Sequence, residues 1–314
     1  MIVLLFRMVH KYSSVADGFA KHLTSDLDHT SESLRAVLDL AHEVKRTPGR
    51  FRKTLDGRYL ALLFEKPSLR TRLTFELAMK QLGGDTVATI GPVGDREPVK
   101  DVARNLDRWT QGIVARVFSH STIEELARWS KVPVINALSD LYHPCQALAD
   151  VQTIEERFGK LDGLKLAFVG DGNNVAHSLM VTAGRLGMHV AVAAPEGYQP
   201  NPGIVEQASK FARITITSDP GEAVDEAHAV YTDVWASMGQ ESEAAERARI
   251  FAPYQVNETL LRKARPEAIF LHCLPAKRGQ EVTDAVMESP QSAIFDEAEN
   301  RLHAQKALLI MLLK

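Results

Sequence analysis

The chain has 314 residues, 45% hydrophobic and 25% charged, an ordinary globular balance that argues against disorder and allows two cores. Its 37 basic and 40 acidic residues leave a formal charge of −3, so no global field draws it to nucleic acid or anionic membrane, and any basic site has to be local. Two cysteines, Cys145 and Cys273, exclude a disulfide framework and fit a reducing compartment. No apolar run approaches the ~20 residues that span a bilayer. Residues 1–19 open with an apolar run that lacks a preceding basic region and is too short for a signal core, so they read as an extension. A cytoplasmic protein is the expectation.

Elements then alternate. Leu34, Val37, Leu38, Ala41 and Val44 recur at helical spacing and predict a helix over 31–45. The continuous apolar run 59–64 predicts a strand buried on both faces. A helix over 68–82 follows, stopped by Gly83 and Gly84. Strands are predicted at 86–90, 113–118 and 132–137 and helices at 99–109 and 147–158. Ser121 and Glu124 form a capping box for a further helix. The rhythm restarts with strands at 164–169, 189–193, 214–217, 229–232 and 268–272. Between and after them the pattern predicts helices at 175–186, 204–211, 258–264 and 297–313. Repeated β–α alternation implies parallel sheets with helices on both faces. The expected fold class is α/β, with two doubly wound parallel-sheet domains, 20–158 and 159–296, and a last helix, 297–314, returning to the first.

In such sheets ligands sit beyond the carboxyl ends of the strands, and five polar clusters fall there. In FEKPSLRTR (64–72), Pro67 sets a turn, Ser68 can cap, and the N–H groups of Ser68 to Thr71 together with Arg70 suit a phosphate or carboxylate. Basic residues belong at the other end of a helix, so their presence in this first turn favours a bound anion over a solvated face. His143 and Gln146 of HPCQALAD (143–150) are apt donors to a carbonyl oxygen that gains charge. A lone His is more often structural.

VGDGNNVAHS (169–178) starts like a dinucleotide fingerprint, but Val175 stands at the third glycine position. Asp171, Asn173 and Asn174 there can hydrogen-bond a zwitterion. In TDVWASMGQE (232–241) Asp233 can hold a cationic amine and the loop through Ser237 and Gly239 a carboxylate; the plain alternative is a surface loop anchored by Trp235. In HCLPAKRGQEV (272–282), Cys273 sits where nucleophiles and proton acceptors lie, although a buried inert Cys is the common case. No HExxH or CxxC pattern points to a metal. Arg301, beside Glu297 and Glu299, reads equally well as a surface charge.

Taken in order with LARxxxxPVxNALSD (126–140) and FDEAENRLHAQKALL (295–309), these segments resemble the ornithine carbamoyltransferase family, from about Leu23 to the end of the chain. The resemblance implies transfer of the carbamoyl group of carbamoyl phosphate to L-ornithine, giving citrulline and phosphate, with no metal or organic cofactor. It places the catalytic site in the cleft between the domains, the first binding carbamoyl phosphate and the second ornithine. It implies that Ser68, Leu69, Arg70, Thr71, Arg116, His143, Gln146, Cys273, Leu274 and Arg301 bind carbamoyl phosphate. Asn174, Asp233, Ser237 and Met238 would bind ornithine, with Cys273, Asp233, His143, Arg70 and Arg116 carrying the chemistry. Leu69 stands where the family commonly has Thr, and Pro92 about where it often has a Gln or His contributed across a subunit boundary. A homotrimer in arginine biosynthesis is implied. N-acylated ornithine and putrescine stay open as alternative acceptors.

Overall fold

Why the chemistry can be local follows from how the strands end. In the computed structural model, which describes residues 19–236 and 241–314, the chain divides into two compact units. One runs up to Leu148 and includes Arg301–Lys314; the other is Ala149–Asn300. The extension read at residues 1–19 lies, Phe19 apart, outside the described residues.

The first unit holds a four-stranded parallel sheet, β1 (Tyr59–Phe64), β2 (Asp85–Ile90), β3 (Gly112–Arg116) and β4 (Val134–Leu138), in the order β2-β1-β3-β4. β3 is buried throughout and β1 in all but its first residue, which is why both read as unbroken apolar runs. Its helices are α1 (Ser31–Arg46), α2 (Leu69–Leu82), α3 (Val99–Trp109), α4 (His120–Trp129) and the start of α5 (Pro144–Phe158). The five periodic apolar residues of α1 are all buried, Leu34, Val37, Leu38 and Val44 contributing about 1.5–3 kcal/mol each and the Ala41 methyl about 0.8 kcal/mol. Ser68 caps α2, its Oγ accepting from Thr71 N–H at 3.3 Å, and Gly83 ends it with φ 96°, a left-handed geometry suited to glycine. Gly112 has no room for a side chain: a Cβ there would lie 2.7 Å from the Leu313 side chain.

Several boundaries shift: β4 spans 134–138 rather than 132–137, and α5 starts at Pro144 rather than 147. β3 stops at Arg116 rather than 118, because its register with β4 slips between Ala115 and Arg116. The capping box at Ser121 is not the start of α4. That helix begins two residues earlier, with Ser119 as its cap in place of Ser121, since the Asp140 carboxylate accepts the His120 N–H at 2.7 Å and draws the chain into the first turn.

The second unit carries a five-stranded parallel sheet: β5 (Lys165–Val169), β6 (His189–Ala193), β7 (Ile214–Thr217), β8 (Ala229–Tyr231) and β9 (Ile269–Leu271), ordered β7-β6-β5-β8-β9. The helices in this part of the chain are α6 (Asn174–Arg185), α7 (Pro202–Ser209), α8 (Pro220–Val224), α9 (Ala244–Phe251), α10 (Glu258–Leu261), α11 (Asp284–Met287) and α12 (Ile294–Leu313). Its core joins Val169 and Ala193 with Val230, Phe251, Phe270 and Val282. Both sheets therefore have a switch point, between β1 and β3 in one and between β5 and β8 in the other, where successive crossovers leave in opposite directions and open a crevice at the carboxyl ends. Among the described residues no helix is long and apolar enough to cross a membrane.

Candidate active site

At the first switch point one carboxylate ties three loops. Glu65, the residue after β1, accepts from Val93 N–H at 2.9 Å with Oε1 and from Phe118 N–H at 2.7 Å with Oε2, while its own N–H donates to the Arg116 carbonyl at 2.9 Å. The loop ahead of α2 is thereby set against the end of β3, where Arg116 is buried. Ser68, Leu69, Arg70 and Thr71 form the cap and first turn of α2, which contains no acidic residue. Arg70 is half-buried and Thr71 buried, while Arg72 is engaged by Glu76 at 2.7 Å.

Arg301 is no surface charge. It is 2% exposed, and its guanidinium donates to Thr71 Oγ1 at 3.1 Å and to Gln146 Oε1. The residue thus joins the first turn of α2 to the first turn of α5. His143, just before α5, is buried, and burial, with Arg301 and Arg116 nearby, holds its imidazole well below the usual histidine range. It is neutral at pH 7 and keeps one N–H to donate. Ser68, Leu69, Arg70, Thr71, Arg116, His143, Gln146 and Arg301 therefore all belong to one unit, and the group is strongly cationic. Cys145 stands apart: burial pushes its thiol up to about 12 and it donates to the Asn136 carbonyl at 3.5 Å, so it is the inert cysteine.

The second switch point carries the opposite charge. Gly172 lets the β5–α6 turn close, since a Cβ there would meet Pro200 N at 2.2 Å. Asn173 caps α6 through Oδ1, and its Nδ2 donates to Asp233 Oδ2 at 2.8 Å. Asp233, two residues past β8, is buried; its Oδ1 accepts from Val234 N–H at 2.8 Å and from the Cys273 thiol at 3.1 Å. Burial and the Asp233 carboxylate push that thiol well above its ordinary value, so Cys273 is an S–H donor, not a thiolate. Leu274 follows at φ 55°, a left-handed conformation costly for a branched side chain, and its N–H donates to His272 Nδ1 at 2.9 Å. Asn174 is the half-buried first residue of α6. Ser237 and Met238 lie outside the described residues.

The structure thus brings Asp233, Cys273 and Leu274 together with Asn173, one of the three polar residues of that turn, whereas the family resemblance singles out its neighbour Asn174. The available signal was helix capping: the Asn before the helix, not the one inside it, has its side chain turned to the loop. Asp171 is taken by Arg247 at 2.9 Å, and burial pushes its carboxyl up to about 6 against that cation. Donor atoms of Asp233, His272 and Cys273 lie within 4.8 Å of one another. The hydrogen bonds already given account for that cluster: His272 Nδ1 is used by Leu274, its Nε2 faces Glu281 at 3.4 Å, and the thiol keeps its proton.

Comparison with known proteins covers both units. Residues 21–156 match the carbamoyl-P binding domain of aspartate/ornithine carbamoyltransferase, and residues 162–312 match its Asp/Orn binding domain. The ornithine carbamoyltransferase of Thermus thermophilus is 56% identical over 288 residues, 90% of this chain and 93% of the relative. Among solved structures, the ornithine carbamoyltransferase of Pyrococcus furiosus is 47% identical with a TM-score of 0.90, covering 93% of this chain and 96% of that one. The anabolic ornithine carbamoyltransferase of Campylobacter jejuni is 40% identical with a TM-score of 0.88, covering 93% and 99%.

Proposed function

The chain belongs to the aspartate/ornithine carbamoyltransferase family, among the ornithine carbamoyltransferases, and from that premise we propose how its two charged clusters divide the reaction. Carbamoyl phosphate binds to Ser68, Leu69, Arg70 and Thr71 through its phosphate, with Arg116 reaching the same group. His143, Gln146 and Arg301 hold the carbonyl and amide end, and Cys273 with Leu274 completes the contact. Asn174, Asp233, Ser237 and Met238 bind L-ornithine.

The single observation that carries the acceptor assignment is the Asp233 carboxylate, buried with Asn173 at 2.8 Å and Cys273 at 3.1 Å. Oδ1 already accepts twice, from Val234 N–H and the Cys273 thiol, but Oδ2 accepts from Asn173 and has a second lone pair, so Asp233 can receive an ammonium on Oδ2 while those donors stay in place. The δ-ammonium passes a proton to Asp233, with Cys273 as relay, and the freed lone pair attacks the carbonyl carbon of carbamoyl phosphate. The C–N bond forms, and the oxyanion is met by the neutral His143 N–H and by Arg301. When the C–O bond to phosphorus breaks, phosphate leaves with its charge on Arg70, Arg116 and the α2 turn. The departing phosphate takes the second amine proton, and L-citrulline of no net charge remains. Holding both reactants in line removes the need for a covalent enzyme intermediate.

We further propose a homotrimer. Leu69, Leu73 and Leu77 lie at i, i+4 and i+8 on α2 and are 71%, 46% and 44% exposed, and the edge strand β2 adds exposed Val87 and Ile90. Such a patch calls for a partner, here a second copy. Leu73→Glu should lower the solution mass from trimer to monomer by light scattering, and an unchanged mass would count against that face. In line with the anabolic relative we assign the chain to the synthetic direction, in arginine biosynthesis, and its two cysteines without a disulfide framework favour the reducing cytoplasm. The functional test is citrulline formation by purified protein given carbamoyl phosphate and L-ornithine, beside tubes holding N-acetylornithine, putrescine or aspartate. Turnover with ornithine alone is expected. Turnover only with another acceptor would keep the phosphate site and overturn the ornithine assignment.

A further inference from the structure

Asp233 and Cys273, in the roles proposed above, each stand two residues beyond the end of their strand, and those strand ends pair as Tyr231 with Leu271. Past that point the ladder contributes only the Thr232 N–H to Leu271 carbonyl bond at 3.3 Å. A 3.1 Å thiol–carboxylate contact therefore needs another brace. One buried carboxyl supplies it. Glu297, on the first turns of α12, accepts from the Tyr231 hydroxyl at 3.2 Å with Oε1 and from the His272 N–H at 2.8 Å with Oε2. It so joins the last residue of β8 to the first residue after β9. His272 fixes the next step, accepting the Leu274 N–H on Nδ1, so that Cys273 lies between two anchored backbone groups.

Glu297 also hydrogen-bonds Asp150 of α5, and burial together with Asp150 pushes its carboxyl well up, so the pair shares a proton. Simple packing gives no reason for such a group: an apolar side chain of the same length would fill the space without the desolvation cost of a carboxyl. What an apolar chain cannot do is accept two hydrogen bonds in fixed directions. Resting on the Asp233–Cys273 reading, we propose that Glu297 is a positioning residue, whose carboxyl spans the ends of β8 and β9 and holds Cys273 Sγ on Asp233 for proton transfer from ornithine.

Two conservative variants separate reach from charge. Glu297→Gln keeps the length, accepting from His272 with its amide oxygen and donating from its NH2 to Asp150 and to the Tyr231 phenol oxygen, which turns from donor to acceptor; Glu297→Asp keeps the acid and loses one methylene of reach. Three quantities are read on each full-length protein: kcat with saturating ornithine, Kd for carbamoyl phosphate, and the iodoacetamide alkylation rate of the Cys273 peptide at pH 7.5. Glu297→Asp is expected to lower kcat at least tenfold, leave Kd within twofold, and speed alkylation at least threefold as the thiol loosens from Asp233. Glu297→Gln is expected to stay within threefold of the wild type throughout. Wild-type kcat and alkylation in Glu297→Asp would overturn the proposal, as would a Gln variant impaired as much as the Asp variant. If Glu297→Asp does not fold, Tyr231→Phe removes one anchor and keeps the ring; threefold lower kcat with faster alkylation supports the role, and unchanged values overturn it. Asp233→Asn, assayed alongside, separates the two readings. Wild-type kcat there sinks the Asp233–Cys273 assignment, whereas loss of activity there with normal Glu297→Asp sinks the positioning role alone.

Discussion

The two units bury polar groups to a similar extent and bias them in opposite directions. Burial drives His143, Cys273, Tyr231 and Glu297 alike toward their neutral forms. The neighbours differ. Around His143 they are the guanidiniums of Arg301 and Arg116, which hold it down; around Cys273, Tyr231 and Glu297 they are the carboxylates of Asp233 and Asp150, which hold proton-bearing groups up. One unit carries stored positive charge, suited to a phosphate that gains charge as it leaves. The other carries stored negative charge, suited to an ammonium that must surrender a proton. Each cluster is costly without its ligand, and that cost is what a substrate of opposite sign relieves.

Removing the negative charge should have the largest effect. Asp233→Asn preserves size, yet its amide nitrogen can neither accept from Asn173 nor take a proton. We expect kcat to fall about 10²–10⁴-fold, with carbamoyl phosphate affinity within twofold by calorimetry. A matching loss of carbamoyl phosphate affinity would show that the clusters do not divide the labour. Next in size is Arg70→Ala, which takes one cation from the other side. Charge-assisted contacts to phosphate contribute about 1.5–3 kcal/mol each, so affinity should drop about 10–100-fold or more while the thermal midpoint stays near wild type. Undiminished affinity would remove Arg70 from the cradle.

Much of this arrangement was legible before any coordinates, and the reasons are local. β1, β6, β7 and α3 occupy the residues their patterns predict: β1 and β6 are largely apolar runs of buried parallel strands, half-buried β7 alternates Ile and Thr, and α3 shows a 3.6 periodicity over 11 residues. α8, α10 and α11 have four or five residues, too few for a period to register, so the pattern predicts neither α8 nor α11 and extends α10 too far; α9, of eight residues, is unpredicted as well. Site residues placed just after strands were readable from architecture alone. Those defined by distant partners were not. Arg301 looks like a surface charge beside two glutamates, and only Gln146 and Thr71, 155 and 230 residues away, make it a buried brace. Glu297 is similar: its partners Tyr231 and His272 are 66 and 25 residues back.

The smallest effect tests the comparison through proton linkage. Folded His143 resists protonation, whereas in the unfolded chain it titrates near 6.5. As the pH falls through 6.5 the unfolded state takes up a proton that the folded state refuses, so stability present above that pH is lost below it, by up to about 1.4 kcal/mol per pH unit. His143→Gln removes that proton and keeps an amide donor, so between pH 6.5 and 5 its urea-unfolding free energy should fall less steeply than the wild type's. Glu297 has the opposite sign. Its folded carboxyl holds a proton above the unfolded value of 4.5, so its contribution is complete below 4.5 and disappears as the pH rises. Glu297→Gln should flatten stability on that rising side. Burial alone gives a base and an acid these opposite signs, so if the two variants changed the pH slope in the same direction, one of the two groups would not be buried in its neutral form.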